Sequence, residues 1–217
     1  MGTPSPDPEA GAKPADRRER GRQRRRDSLY AAAVALFIEK GYDSTTMDDI
    51  AERADVARTT VFNHFPRKLA FIDEWTARRR EGASAALGGD DLADAPLPRV
   101  LTRFFTALSQ NSQAGEAGRL ETAAFFGAAI HMTHFIGRTP LSEMVSRLVA
   151  HARDRGEIDE HIDPMRAGTL LVAAYVAVLS AWVAEDPAPF DLIEEIVATL
   201  DIELNGLMQR PTSPPDH

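Results

Sequence analysis

The chain has 217 residues, 43% hydrophobic and 27% charged, with a formal net charge of −8. That length suits one medium domain or two small ones, and the apolar share supports a core, so a wholly disordered chain is excluded. The absence of cysteine excludes a disulfide framework, a thiolate metal site and a cysteine nucleophile. An acidic total argues against a polyanionic partner, but the charge is unevenly divided. Residues 1–80 carry 16 Lys/Arg and 13 Asp/Glu, a balance of +3, whereas residues 81–217 carry 9 and 20, a balance of −11. Seven arginines (Arg17, Arg18, Arg20, Arg22, Arg24, Arg25, Arg26) fall within ten residues, offset only by Glu19. Such a run is either a solvated tail or an arm that attracts phosphates.

Taken in order, residues 1–16 are rich in Pro, Gly, Ala and Asp, lack an apolar signal core and read as disordered. Leu29, Ala32, Ala33, Leu36 and Phe37 make one helical stripe, stopped by Gly41. Thr46 through Ala54 reads as a short helix, with Thr46 as its N-cap and Asp49 completing a capping box. After a break at Asp55-Val56, a second short helix runs from Ala57 to about His64, and Pro66 ends that segment. Arg67 to about Ala86 is a longer helix, followed by a Gly- and Pro-containing loop over Gly88–Pro98. Four or five longer helices follow: one carrying Leu97, Leu101, Phe104, Phe105 and Leu108, one near Glu116–Ile136, and one carrying Leu141, Met144, Val145, Leu148 and Val149 that stops near Gly156. Asp163-Pro164 starts a helix running to about Glu185, and Phe190–Met208 holds the last. No strand pattern is found, so the expected class is all-α. No run of 18 or more apolar residues is read, so no membrane-spanning helix is expected.

Two short helices after a longer one suggest a helix-turn-helix, with a plain helical hairpin as the alternative. A groove-reading helix needs donors on its exposed face, and small or β-branched side chains that can reach base edges and thymine methyls. Arg58, Thr59, Thr60 and Asn63 meet that need, while Ile50, Ala51, Ala54, Val56, Val61 and Phe65 would hold the unit from inside.

The stretch Gly41-Tyr42-Asp43-Ser44-Thr45-Thr46-Met47-Asp48-Asp49-Ile50-Ala51-Glu52-Arg53-Ala54-Asp55-Val56, continuing through Ala57-Arg58-Thr59-Thr60-Val61-Phe62-Asn63-His64-Phe65-Pro66-Arg67-Lys68, resembles the N-terminal signature of the TetR family of transcriptional regulators. The resemblance covers about Arg25 to Ile72. It implies an N-terminal three-helix helix-turn-helix domain followed by an α-helical effector-binding and dimerisation domain, in a homodimeric, cytoplasmic repressor that a small molecule releases from its operator. The implied layout is a disordered basic arm over 1–24, the DNA-binding domain over 25–72 with a linking helix to about 88, the effector domain over 89–209, and a disordered tail over 210–217. Carried over by position, Thr46 caps its helix and meets a phosphate. Arg58, Thr59 and Asn63 face base edges, and Thr60 and His64 contact the backbone. Lys68 holds a phosphate with help from its helix N-terminus. Arg24 and Arg25, in the basic run directly before the unit, would track the phosphate backbone or enter a minor groove. Four positions depart from the family pattern: Asp55 and Thr59 replace glycines, Ala57 replaces a serine cap and Phe62 replaces a tyrosine.

In the second half, Phe104, Phe105, Phe126, His131, His134, Phe135, Met144, Tyr175 and Trp182 could line an apolar effector cavity or form a plain core. Tyr175, His131, His134 and Trp182 carry the polar tips that could orient a ligand. His131 and His134 lie three apart, yet no dense ligand motif accompanies them and no metal or cofactor is expected. Leu179, Trp182, Ile193, Val197, Leu200 and Leu204 give the last two helices broad apolar faces, which favour a four-helix interface across a two-fold axis. A dimer would favour a near-palindromic double-stranded operator. Two alternatives stay open: a DNA-binding regulator without a small-molecule effector, and an all-α enzyme. No nucleophile elbow, phosphate-cradling loop or paired metal motif supports the enzyme, so no catalytic residue is assigned.

Overall fold

A computed structural model describes residues 14–89, 94–130 and 139–205. The described residues hold nine helices and no strand: α1 (Pro14–Lys40), α2 (Met47–Arg53), α3 (Arg58–His64), α4 (Leu69–Ala85), α5 (Leu97–Ser109), α6 (Gly115–Ile130), α7 (Pro140–Asp154), α8 (Pro164–Ala184) and α9 (Leu192–Asn205). The chain divides into two compact units between Phe71 and Ile72. The helix expected to link the domains therefore gives only its first residues to the first unit and the rest to the second.

The first unit closes on Leu29, Ala33 and Phe37 of α1, Ile50 of α2, Val61 of α3, Phe65 and Phe71, all buried. Phe65 stacks on Phe71 with ring centres 4.0 Å apart, and Phe37 meets Phe71 edge-on at 6.2 Å. These contacts fix the end of α3 against α1, because aromatic pairs combine a large buried area with a preferred geometry. Helix α2 starts where its chemistry says it should. The Thr46 hydroxyl accepts from Asp49 N at 3.1 Å, and Asp49 Oδ2 accepts from Thr46 N at 2.7 Å. Asp55 sits in the turn with φ +51, the left-handed region that glycine enters more easily.

Residues 14–24 are not an unstructured arm but the first turns of α1. Arginine is a good helix former, and the apolar stripe further along anchors the helix that the basic run extends.

The second unit packs α5 to α9 and most of α4. Thr139 and Ser142 form a capping box on α7, and Asp163 Oδ1 accepts from Arg166 N at 2.8 Å to start α8 beside Pro164. Helix α8 lies tight on α7 at Gly168, where a Cβ would come within 2.7 Å of the Ser146 backbone nitrogen. Alanine there would push the two helices apart.

Helix α8 also corrects the reading of apolar runs. An 18-residue window in Pro164–Ala184 has mean hydropathy 1.9, so by length and composition it could cross a membrane. Its packing supplies the reason for that composition: Leu171, Val172, Tyr175, Val176, Leu179 and Trp182 are buried inside the unit, as in a core helix with neighbours on several sides.

Candidate nucleic-acid interface

Helix α3 has seven residues, about 10 Å of axis. Val61 points into the core, while Arg58, Thr59, Phe62 and Asn63 are exposed and Thr60 and His64 are half-buried. The exposed face thus offers a guanidinium, an amide, a hydroxyl and methyl groups, the set that reads base edges in a major groove. Arg58 lies beside α2: its Nε is 3.1 Å from Asp48 Oδ1, and its guanidinium sits 5.4 Å from the centre of the Phe62 ring. Both Arg58 and Asp48 are well exposed, so the pair is weak and can open to a base. The N-cap of α3 is Ala57, which makes no side-chain cap bond.

Helix α1 supplies the flank. Gly21, Arg24, Arg25 and Ser28 of α1, with Asp55, Val56, Ala57 and Thr60, line an open groove of about 580 Å³. Their three- and four-residue spacing on α1 puts them on one face. This groove was missed by reading the arginine run as unstructured; its signal was the helical spacing Gly21, Arg24, Arg25, Ser28. Arg26 has a different role. Its Nη1 donates to the His64 carbonyl at 2.8 Å and its guanidinium covers the Phe65 ring at 4.3 Å, so it satisfies the C-terminal end of α3. Partial burial and the nearby Arg22, Arg26 and Arg25 charges hold the His64 imidazole below its usual range. His64 is therefore a neutral hydrogen-bonding group at pH 7.

Lys68 departs from the expectation of a free phosphate donor. Its Nζ donates to the carbonyl oxygens of Tyr42 at 2.7 Å, Thr45 at 3.0 Å and Asp43 at 3.3 Å, and lies 4.2 Å from the Tyr42 ring centre. An ammonium has three donors, and all three are engaged in tying down the loop between α1 and α2. Thr46 sits at the exposed start of α2, with its hydroxyl in the capping box. The Lys40 ammonium, 2.7 Å from Asp49, together with the Thr46 hydrogen bonds, lowers the Asp49 carboxyl to about 2.

Residues 29–74 match the sequence profile described as bacterial regulatory proteins, tetR family. The chain is 26% identical over 190 residues to the HTH-type transcriptional repressor KstR of Rhodococcus jostii (strain RHA1), covering 86% of each chain. It is 29% identical over 174 residues to the HTH-type transcriptional regulator TcmR of Streptomyces glaucescens, covering 74% of this chain and 72% of that one. Thermus thermophilus FadR, a TetR family transcriptional repressor solved in complex with lauroyl-CoA, shares 25% identity at a TM-score of 0.62, over 88% of this chain and 100% of that chain. The chain belongs to the TetR family. It is a DNA-binding transcriptional regulator with an N-terminal helix-turn-helix and an all-α C-terminal domain.

In this TetR-family protein the expected effector residues fall as follows. Phe104, Phe105 and Phe126 are buried, as are Tyr175 and Trp182, and Met144 is half-buried. Phe105 meets both Phe104 at 5.4 Å and Tyr175 at 5.2 Å. His131, His134 and Phe135 lie outside the described residues. The space bordered by Phe105, Leu171, Tyr175 and Leu200 measures about 10 Å³, room for at most one water, so α5, α8 and α9 are closed against one another there. Glu203 borders the same space with its side chain exposed, and the apolar surroundings on its inner side push its carboxyl up from the ordinary carboxylate range. Among the described residues no group of three His, Asp or Glu side chains could hold a metal ion.

Of the residues expected at a dimer interface, Leu179, Trp182 and Leu200 are buried within the chain itself. Ile193 and Leu204 are half-buried, and Val197 is exposed. Leu170 and Ile202, outside that set, are more exposed than Val197, at 66% and 52%.

Proposed function

We propose that this regulator is a homodimeric repressor, acting in the cytoplasm, that binds a near-palindromic operator and leaves it when a small, largely apolar molecule binds the second unit. The exposed face of α3 carries this reading: Arg58, Thr59 and Asn63 turn outward while Val61 alone is buried. Arg58, Thr59 and Asn63 meet base edges, Thr46, Thr60 and His64 meet the backbone, and Arg24 and Arg25 add phosphate contacts from α1. Lys68 serves the same surface indirectly, by holding the loop that orients α2.

Dimerisation uses the outer faces of α8 and α9. Leu170, Val197 and Ile202 supply the apolar contacts, and the exposed Ala177, Ala181 and Ala184 let helices approach closely. Charge on that face should break the dimer: Leu170→Asp with Val197→Asp should sediment as a monomer and lose operator affinity. A stable dimer in that variant would remove this face from consideration.

Ligand response is supported by FadR, which was solved with lauroyl-CoA, and by the aromatic character of the second unit's core around Phe104, Phe105 and Phe126. Ligand bound there lowers operator affinity by favouring the state in which α4 is tilted, through its difference in affinity for the two states. The test is operator affinity by fluorescence anisotropy with and without a saturating ligand found by thermal shift. An unchanged affinity would refute release.

A further inference from the structure

Among the described residues, the second unit contains a buried cation with no anion beside it. Arg79, on α4, is 7% exposed. Its Nη2 donates to Ser112 Oγ at 3.0 Å and to the Tyr175 hydroxyl at 3.2 Å, and its guanidinium lies 4.7 Å from the centre of the Trp75 ring. Behind these groups, Thr122 Oγ1 lies 3.0 Å from Ser112 Oγ, and Ser109 Oγ lies 3.4 Å from the Tyr175 hydroxyl. Every polar partner among the described residues is a neutral hydroxyl. No carboxylate among the described residues pairs with Arg79, and any of its N–H groups that lacks a partner reaches solvent, since no buried side-chain nitrogen among them is left unpartnered.

Burying a charge without a counter-charge is unfavourable, and most buried charges in proteins are paired. Lysine or histidine could escape by losing its proton; a guanidinium cannot. The hydroxyls and the Trp75 ring offset only part of that penalty. The surroundings define what would complete it. Phe125 stacks on Trp75 at 5.5 Å and Phe105 leans on Tyr175 at 5.2 Å, so the side chains around Arg79 are aromatic and an apolar ligand body would enter by parting this packing, since the space beside Tyr175 measures only about 10 Å³. One cation matches one negative charge; a phosphate dianion would need more. The hydroxyls of Ser112 and Tyr175 can rotate to donate to an anion as readily as they accept from Arg79.

We infer that Arg79, with Ser112 and Tyr175, is the recognition point for a single carboxylate on an apolar effector. This inference rests on the ligand-response reading and narrows it to apolar organic acids. It also sets a direction for the response. Arg79 lies on the same helix as Phe71, eight residues further along, so an anion that draws Arg79 acts on the element that begins against Phe65.

The experiment uses the full chain, with decanoate and 1-decanol as probes of equal length and different head group. In calorimetry the wild type should bind decanoate about tenfold or more tightly than decanol, as expected for a charge-assisted bond in a buried site. Arg79→Gln should lose that preference and bind decanol as the wild type does. Its melting temperature should hold or rise, because an uncompensated cation has gone. Arg79→Lys, which keeps the charge, should retain part of the preference. Equal binding of acid and alcohol by the wild type, binding of neither, or an acid preference that survives Arg79→Gln would overturn the inference. Operator affinity separates it from the broader reading. If both probes bind equally and both release DNA, release stands and the carboxylate site falls. If decanoate binds through Arg79 and DNA affinity does not move, the site stands and release falls.

Discussion

Replacing Lys68 by methionine keeps the apolar stem and removes the ammonium, so it isolates the three carbonyl bonds that hold the loop between α1 and α2. The bonds to Tyr42 at 2.7 Å and Thr45 at 3.0 Å have good geometry and contribute about 1 kcal/mol each, net of water. The Asp43 bond at 3.3 Å is long and exposed and adds little. The ring contact with Tyr42 contributes about 0.5 kcal/mol. The expected loss is therefore roughly 2 to 3 kcal/mol, localised in the first unit. Both tryptophans, Trp75 and Trp182, lie in the second unit, so tryptophan fluorescence should report an unchanged melt there. Hydrogen exchange in peptides spanning 41–65 should accelerate by about 30-fold or more. DNA binding provides the opposing test. If Lys68 also met a phosphate, its loss would lower the salt slope by about 0.9. An unchanged slope with faster exchange supports the loop tie; a reduced slope with unchanged exchange would refute it.

Three further outcomes follow from the same surface. Changing Arg24→Gln and Arg25→Gln together should weaken binding to every DNA sequence and reduce the salt slope by about 2, measured by anisotropy between 50 and 200 mM salt; an unchanged slope would make the groove beside α3 irrelevant to phosphates. Ala57→Ser should supply the missing cap of α3 and stabilise the first unit by about 1 kcal/mol in urea unfolding followed by exchange, and no gain would show that the Asp55 turn prevents the capping geometry. Asp49, lowered to about 2, contributes stability that is present above the ordinary carboxylate range and is lost as pH falls through its folded value. Exchange at the start of α2 should therefore accelerate between pH 4 and pH 2, and Asp49→Asn should abolish that step; a step that persists in the variant belongs to another carboxylate.

Much of the fold was legible because its boundaries are written in local chemistry. Thr46 with Asp49, Asp163 with Pro164, and Gly41 after an apolar stripe each terminate or start a helix through groups a few residues apart. The outward set on α3 was legible for the same reason, since a seven-residue helix that buries Val61 has few ways to place Arg58, Thr59 and Asn63 other than outward. Other features depend on partners distant in sequence. Lys68 finds its carbonyls 23 to 26 residues earlier, with no spacing rule to announce them. Arg79 meets Ser112 and Tyr175, 33 and 96 residues away. The start of α1 was hidden by its charge, which reads as solvation although arginine favours helix. Helix α8 is apolar around most of its girth, and that pattern does not say which side faces its own neighbours. Leu179, Trp182 and Leu200 therefore read as interface residues, while the chain buries them; Val197 of the same expected set is exposed, and Leu170 and Ile202, outside the set, are more so.

Selection of bound fragments from a random double-stranded DNA library, using the full chain, tests the central claim most directly. A dimer that presents two copies of α3 should enrich an inverted repeat with half-sites about one helical turn apart, and enrichment should vanish when Arg58, Thr59 and Asn63 are all changed to alanine. No enriched motif, a single unpaired half-site, or the same motif from the triple variant would contradict it.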